Sequence, residues 1–502
     1  MSEVRSILDG FAGGAIVDIE CSLSNSLPNI VIVGFASKSV DEAKERIRGG
    51  LNSSKIKLPP KRITVNLAPG DIPKEGSYFD LPILLSILLK SKLITDLNRK
   101  NNVVIGEISL DGTIRPVRGV IGKILSAKKL GISEFWIPED NLKQAMLIPN
   151  ITILPIKNIK QIVEIINNSK IEENLIPSKP QAKTTSLRHH KLTIDDVIDQ
   201  EVAKRALEIA ASGHHNIMLA GPPGTGKSML AKALMSIMPP LTQQEMLEVT
   251  HIHSLSSKNY DEIITDRPFR SPHHTSSSAA IIGGGTNPRP GEISMSHNGV
   301  LLFDEFPEFN RSVIEALRQP IEDQVITISR AKDTITYPAH FILVATSNPC
   351  PCGYFGSTKD CICTATQILN YQKKISGPIF DRIDLFVEVD EVNYKKIISN
   401  STKQASLEKV LDRVKKARDI QEVRSGKLNS QLTNRDLKKY ANLSVEAKEL
   451  LDNAATKLQL SARGYIRAIR IARTIADLDE SQNININHVT EALQYRKRQQ
   501  AI

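Results

Sequence analysis

The eight residues Gly221-Pro222-Pro223-Gly224-Thr225-Gly226-Lys227-Ser228 constrain the fold of this chain more than any other feature. They spell G-x-x-x-x-G-K-S, a loop whose glycines let backbone N–H groups turn inward around phosphates. Lys227 reaches the β- and γ-oxygens, and the Ser228 hydroxyl is a ligand for Mg²⁺. The flanks agree with this reading. Residues 216–220 read as a short buried strand and 229–237 as a helix, which places the phosphates at a helix N-terminus. A chance glycine-rich turn does not account for both flanks.

The second half of a nucleotide site follows about 75 residues later. Val300-Leu301-Leu302-Phe303 is an apolar run that ends in Asp304-Glu305. A buried strand that delivers two carboxylates at its end is the Walker B arrangement. Asp304 would hold Mg²⁺ through its shell, and Glu305 would polarise the attacking water. Phe341-Ile342-Leu343-Val344-Ala345-Thr346-Ser347-Asn348 is a second buried strand, ending in an amide. Asn348 is placed to orient the lytic water or the γ-phosphate, the sensor 1 role. In Phe380-Asp381-Arg382-Ile383-Asp384 a basic residue precedes a further apolar strand. There Arg382 can project to a neighbouring subunit's γ-phosphate as an arginine finger. By itself it is equally a surface salt bridge.

The 502 residues suffice for two to four domains, each with its own core. The net charge of +10 favours an anionic partner, nucleic acid first, although a merely lysine-rich chain gives the same sum. Aromatic residues make up 4% of the chain, too few for base stacking to dominate such binding. The start, Met-Ser-Glu-Val-Arg, lacks a signal-peptide pattern, and the longest apolar run, 81–89, is too short to cross a bilayer. The expectation is a soluble, cytoplasmic protein with no membrane partner. Four of the five cysteines fall between 350 and 363, which points to metal rather than disulfides.

Four segments separate. Residues 1–168 alternate strand-like and helical runs, 169–190 form a polar, proline-containing linker, 191–395 carry the nucleotide motifs, and 396–502 are nearly all helical. The fold class expected is α/β, a P-loop core followed by a helical segment and preceded by an α+β domain.

The P-loop, Phe303-Asp304-Glu305, Thr346-Ser347-Asn348-Pro349 and Phe380-Asp381-Arg382 together resemble an AAA+ ATPase. Arg267-Pro268-Phe269-Arg270-Ser271-Pro272-His273-His274 and Pro290-Gly291-Glu292-Ile293-Ser294 resemble more specifically the magnesium-chelatase-related ComM/YifB family, over essentially the whole chain. The resemblance implies a ring-forming, usually hexameric motor using ATP and Mg²⁺, with a link to DNA branch migration in natural transformation. It also implies that 396–502 is an AAA+ lid. In Ser461-Ala462-Arg463-Gly464-Tyr465-Ile466-Arg467, Arg463 is then the first choice for sensor 2 and Arg467 the second. The plain alternative is a solvated basic helix face.

Two insertions are placed to face a ring pore. One lies between the P-loop helix and Walker B and includes 267–298. The other, 325–337, reads as two β runs around a charged turn, with Arg330 and Lys332 at the tip as candidate phosphate contacts or simply solvated charges. Cys350-Pro351-Cys352 and Cys361-Ile362-Cys363, separated by eight residues, offer four thiolates for tetrahedral Zn²⁺. Free thiols in a reducing cytosol are the alternative. The N-terminal segments 65–77 and 110–119 resemble the Lon-protease domain. Matched to that family, the serine position falls on Tyr78 and the lysine position on Ile121, with Ser77 and Lys123 out of register. The domain is therefore expected to be an inactive scaffold or DNA platform. Two functions remain, a DNA-translocating ATPase and a protein-remodelling ATPase of the magnesium-chelatase type.

Overall fold

The computed structural model describes residues 4–8, 14–95, 101–178, 192–256, 262–285, 289–329, 334–391 and 404–496. They form two compact units, Met1–Thr185 with Thr242–Thr265, and Ser186–Leu241 with Asp266–Ile502.

The first unit is α+β. Strands β1 (Val4–Leu8), β2 (Ala15–Ser24), β3 (Asn29–Val33) and β4 (Arg62–Ala68) form one sheet in the order β1-β2-β4-β3. Strands β5 (Asn102–Val104), β6 (Glu134–Pro138), β7 (Thr152–Ile156) and β8 (Ile176–Pro177) form a second in the order β8-β7-β6-β5. In β4 the alternation of the sequence becomes an alternation of faces, with Ile63, Val65 and Leu67 inside. The apolar run at 81–89 is the helix Asp80–Lys90, buried through Leu88. A helix apolar on all sides is a core element here. No helix among the described residues is long and apolar enough to cross a membrane.

Two boundaries differ from the sequence reading. Residues 169–178, assigned to the linker, hold a short helix, Ile171–Asn174, and the edge strand β8, paired with β7. The helix Gln243–Ser256, assigned to the nucleotide segment, belongs to the first unit. There Leu247 is buried in one cluster with Val120, Ile121 and Ile124. Gln243 donates to the Leu147 carbonyl at 3.4 Å, and Gln144 donates to the Glu262 carbonyl at 3.0 Å.

The second unit is built on five parallel strands: β9 (Ile217–Ala220), β10 (Phe269–Arg270), β11 (Val300–Phe303), β14 (Ile342–Ser347) and β15 (Leu385–Glu388). Their order is β10-β11-β14-β9-β15. Strands β11 and β14 are buried along their whole length. That is why they read as unbroken apolar runs rather than alternating ones. The antiparallel hairpin of β12 (Val325–Ser329) and β13 (Thr334–Pro338) stands apart as its own two-stranded sheet. Arg330 and Lys332 lie outside the described residues. So does the boundary expected at 395.

The C-terminal part is helical over Gln404–Ser425, Asn434–Tyr440, Val445–Lys457, Ala462–Leu478 and Ile486–Gln494. Thr433, Ser444, Ser461 and Asn485 cap the last four, each side chain accepting from a backbone N–H three residues on. Helix Ala462–Leu478 buries Ala468, Ile471, Ala472 and Ile475 in one cluster with Ala206, Leu207 and Ile209.

Candidate functional site

Ligands of open α/β sheets bind beyond the C-terminal strand ends, and the charged motif residues gather there. Strand β9 ends at Ala220. A Cβ on Gly221 would meet the Val389 carbonyl oxygen at 2.2 Å, so only glycine lets the loop leave the sheet here. Gly224 and Gly226 take φ of +82° and +88°, and a Cβ on either would have nothing within 4 Å. Around Gly224 and Gly226 the loop thus presents open backbone at the start of helix Lys227–Ile237.

Lys227 Nζ donates to the carbonyls of Gly221 and Pro222, both at 2.7 Å, and to Asn348 Oδ1 at 3.2 Å. Burial lowers its pKa, opposed by the nearby carboxylates of Asp304 and Glu305. Ser228 Oγ donates to Asp304 Oδ2 at 2.7 Å. The residues present fit Mg²⁺-ATP: a hydroxyl and a carboxylate side by side, hard oxygen donors both, beside a buried ammonium and open loop amides. Lys227, Ser228, Asp304 and Asn348 are brought together as expected from the motifs.

Sequence reasoning passed over Thr346. Its hydroxyl donates to Asp304 Oδ1 at 2.6 Å and accepts from the Glu305 N–H at 2.9 Å. It thereby fixes the Mg²⁺-side carboxylate and holds Glu305 in a left-handed conformation, φ +55°, which non-glycine residues seldom adopt. A hydroxyl two residues before Asn348, at the polar end of an apolar strand, was the signal.

Arg382 and Arg463 are elsewhere. Arg382 is 7% exposed rather than projecting from the surface. One of its Nη atoms lies 2.7 Å from Glu322, and the other donates to the Pro378 carbonyl at 2.6 Å. Arg463, more than half exposed, meets the other oxygen of the same carboxylate at 3.4 Å. Glu322 lies on the short helix Arg318–Asp323 that leads into β12, and nothing in the sequence singled it out. Arg467 is buried and lies 3.5 Å from Asp384. Burial would raise the pKa of Asp384. The His215 ring, Arg467 and the Asn216 N–H, which donates at 3.0 Å, together hold it down at about 2.

The four cysteines converge. The Sγ atoms of Cys350, Cys352, Cys361 and Cys363 all lie within 4.8 Å of one another. In the first unit, the Ser77 hydroxyl bonds to Glu107. Lys123 Nζ donates to the Arg118 carbonyl at 3.3 Å and lies 4.6 Å from the centre of the Tyr78 ring. Ile121 is fully buried.

Family profiles match nearly end to end. "Subunit ChlI of Mg-chelatase" covers residues 19–141, "Magnesium chelatase, subunit ChlI" 193–397, and its C-terminal profile 404–496. The competence protein ComM of Haemophilus influenzae is 40% identical over 485 residues, 96% of this chain and 94% of that protein. YifB of Escherichia coli is 38% identical over 481 residues, 96% and 94% of the two chains. The Lon protease of Methanosphaera stadtmanae is 27% identical over 176 residues, 32% of this chain and 21% of that protein, a relation that falls in the N-terminal region. With its parallel sheet, P-loop and paired carboxylates, the chain belongs to the ComM/YifB family of magnesium-chelatase-like AAA+ ATPases.

Proposed function

We propose that the chain is a cytoplasmic, ATP-driven ring motor, a homo-oligomer and most simply a hexamer. It binds and translocates single-stranded or branched DNA, as a helicase or branch-migration factor in recombination during natural transformation. The observation that carries the reading is the division of cations. Lys227 sits on its own P-loop, whereas Arg382 and Arg463 share Glu322. A second copy supplying those arginines to a neighbour's γ-phosphate makes a closed ring the natural assembly. The buried Nε of Arg382 and one Nη of Arg467 have no hydrogen-bond partner among the described residues, which suits an incoming anion. In this reading Lys227 binds the β/γ phosphates, Ser228 and Asp304 hold Mg²⁺, Glu305 polarises water, Asn348 orients it, and Arg463 is sensor 2. One zinc ion in the cysteine cluster is part of the same reading.

The DNA assignment draws on the net charge of +10, on the basic residues Arg330 and Lys332 that the sequence places between β12 and β13, and on the likeness to a competence protein. The match to magnesium-chelatase profiles favours a second reading, an ATPase that remodels a protein partner. ATP turnover measured without DNA and with single-stranded, forked and four-way-junction DNA separates the two. Stimulation by at least one DNA is expected. Intact basal turnover unmoved by all three transfers the case to the remodelling reading.

A further inference from the structure

We infer that the cysteine centre is a zinc-held wall of the nucleotide pocket, so that metal occupancy sets the affinity for ATP. The inference rests on the zinc reading above and extends it to the P-loop.

The sulfur geometry suits one ion. Cys350 and Cys352 Sγ are 3.4 Å apart, Cys350 and Cys361 3.7 Å, and Cys352 and Cys361 3.6 Å. Tetrahedral zinc with Zn–S of about 2.3 Å requires sulfurs about 3.8 Å apart, whereas a disulfide brings them to about 2.05 Å. All four are free cysteines. The Phe355 N–H donates to Cys350 Sγ at 3.3 Å, the kind of outer contact that orients a thiolate ligand. Gly353, at φ +87°, lets the chain double back, its N–H donating to the Cys350 carbonyl at 3.0 Å.

Beyond the Thr358 hydroxyl, which donates to Glu391 at 2.8 Å, and the seat of Gly353 on the P-loop, little holds the loop. Residues 351–363 contain no helix or strand, and Gly353 is the sole buried residue among them. Its large apolar side chains, Phe355 and Ile362, are 40% and 86% exposed. A segment without a core of its own needs a cross-link, and a metal supplies one.

The loop also touches the phosphate site from two directions. Gly353 is seated against the P-loop so closely that a Cβ there would lie 2.7 Å from Pro223 Cδ. At its start, Cys350 follows Asn348 by two residues, and Asn348 accepts from Lys227. The intervening Pro349 carbonyl accepts from Gln372 at 3.4 Å. The metal therefore fixes, through one short loop, both the contact under Pro223 and the position of the Asn348 amide. Without it, Gly353 leaves Pro223 and Asn348 loses its anchor on the cysteine side.

The test uses the full chain purified without chelator. Metal analysis is expected to give about one zinc per chain. Affinity for a fluorescent ATP analogue, read without turnover, should fall about tenfold when zinc is stripped and recover when zinc alone is restored. Cys361→Ser should lose both zinc and affinity. Gly353→Ala, which leaves every cysteine in place, should keep zinc and still bind the analogue several-fold more weakly. Full zinc content, with unchanged affinity in both stripped protein and Gly353→Ala, would overturn the wall while leaving the zinc centre standing. Absence of zinc with four reactive thiols, or iron in its place, would overturn the zinc reading itself.

Discussion

The Lon-like unit and the ATPase unit treat their polar residues in opposite ways. In the ATPase unit, strand ends hand Asp304, Glu305 and Asn348 to one point beside Lys227 and Ser228, next to the open backbone at Gly224 and Gly226. In the Lon-like unit the polar groups are absorbed into the structure. Ser77 is bound to Glu107, Lys123 to a backbone carbonyl and the Tyr78 ring, and Asp80 to Arg46 through bonds of 2.6 and 2.9 Å. A fold is carried by its apolar core, and its chemistry by a few side chains at chosen ends. The first persists when the second is lost.

The widest separation between the units should appear on removing their lysines. Lys227→Ala should abolish nucleotide binding, because the phosphate charge loses its partner. Hydrolysis should drop at least about a thousandfold. Lys123→Ala should leave ATP turnover near wild type, and the wild-type chain should cleave no peptide. Peptidase activity abolished by Ser77→Ala would break the comparison outright. Glu305→Gln should bind ATP and stall, which a nucleotide-binding assay beside a turnover assay detects.

A smaller effect is expected at Glu322. Glu322→Gln weakens the shared hold on Arg382 and Arg463. Assembly with ATP and Mg²⁺, followed by light scattering, should shift to lower protein concentration by a few-fold, the scale of a partly exposed ion pair of about 0.5 kcal/mol. A monomer at micromolar protein with a non-hydrolysable ATP analogue would count against the ring.

The buried acids of the two units sharpen the contrast through pH. Burial raises Asp80 to about 6 against the pull of Arg46. The folded state then takes up its proton first, so this group's contribution to stability increases as pH falls from about 6 towards about 4. Asp384 is depressed to about 2. Its contribution is full above about pH 4 and is lost as pH falls from there to about 2. Stability of the full chain compared with Asp80→Asn and Asp384→Asn across this range should show differences of opposite slope. Equal slopes would mean that one environment has been misread.

The smallest effect belongs to the two charges that the sequence places between β12 and β13. Charge reversal at Arg330 and Lys332 should lower DNA affinity and its salt dependence, by about one unit of slope per lost phosphate contact, with basal turnover unchanged.

The sequence made the ATPase unit legible where chemistry demands fixed spacing. The P-loop, the paired acids after β11 and the amide after β14 were all readable, because each combines a polar end with a buried strand. Contacts made across long separations were not. Glu322 lies 60 residues from Arg382 in the chain, and no local pattern announces the pair. Helix Gln243–Ser256 carries no strong one-sided apolar stripe, so its membership of the first unit had no signature. Lys123, two residues from the expected lysine position, reaches Tyr78 only because helix Val120–Lys129 turns it there.

The central claim is that each ATP site is completed by the next subunit's arginine. Mixing Arg382→Ala chains with Lys227→Ala chains tests it most directly, each being inactive alone. The mixture should regain ATP turnover, because some interfaces pair an intact P-loop with an intact Arg382. A mixture as inactive as its components, or an Arg382→Ala protein that hydrolyses ATP normally by itself, would contradict it.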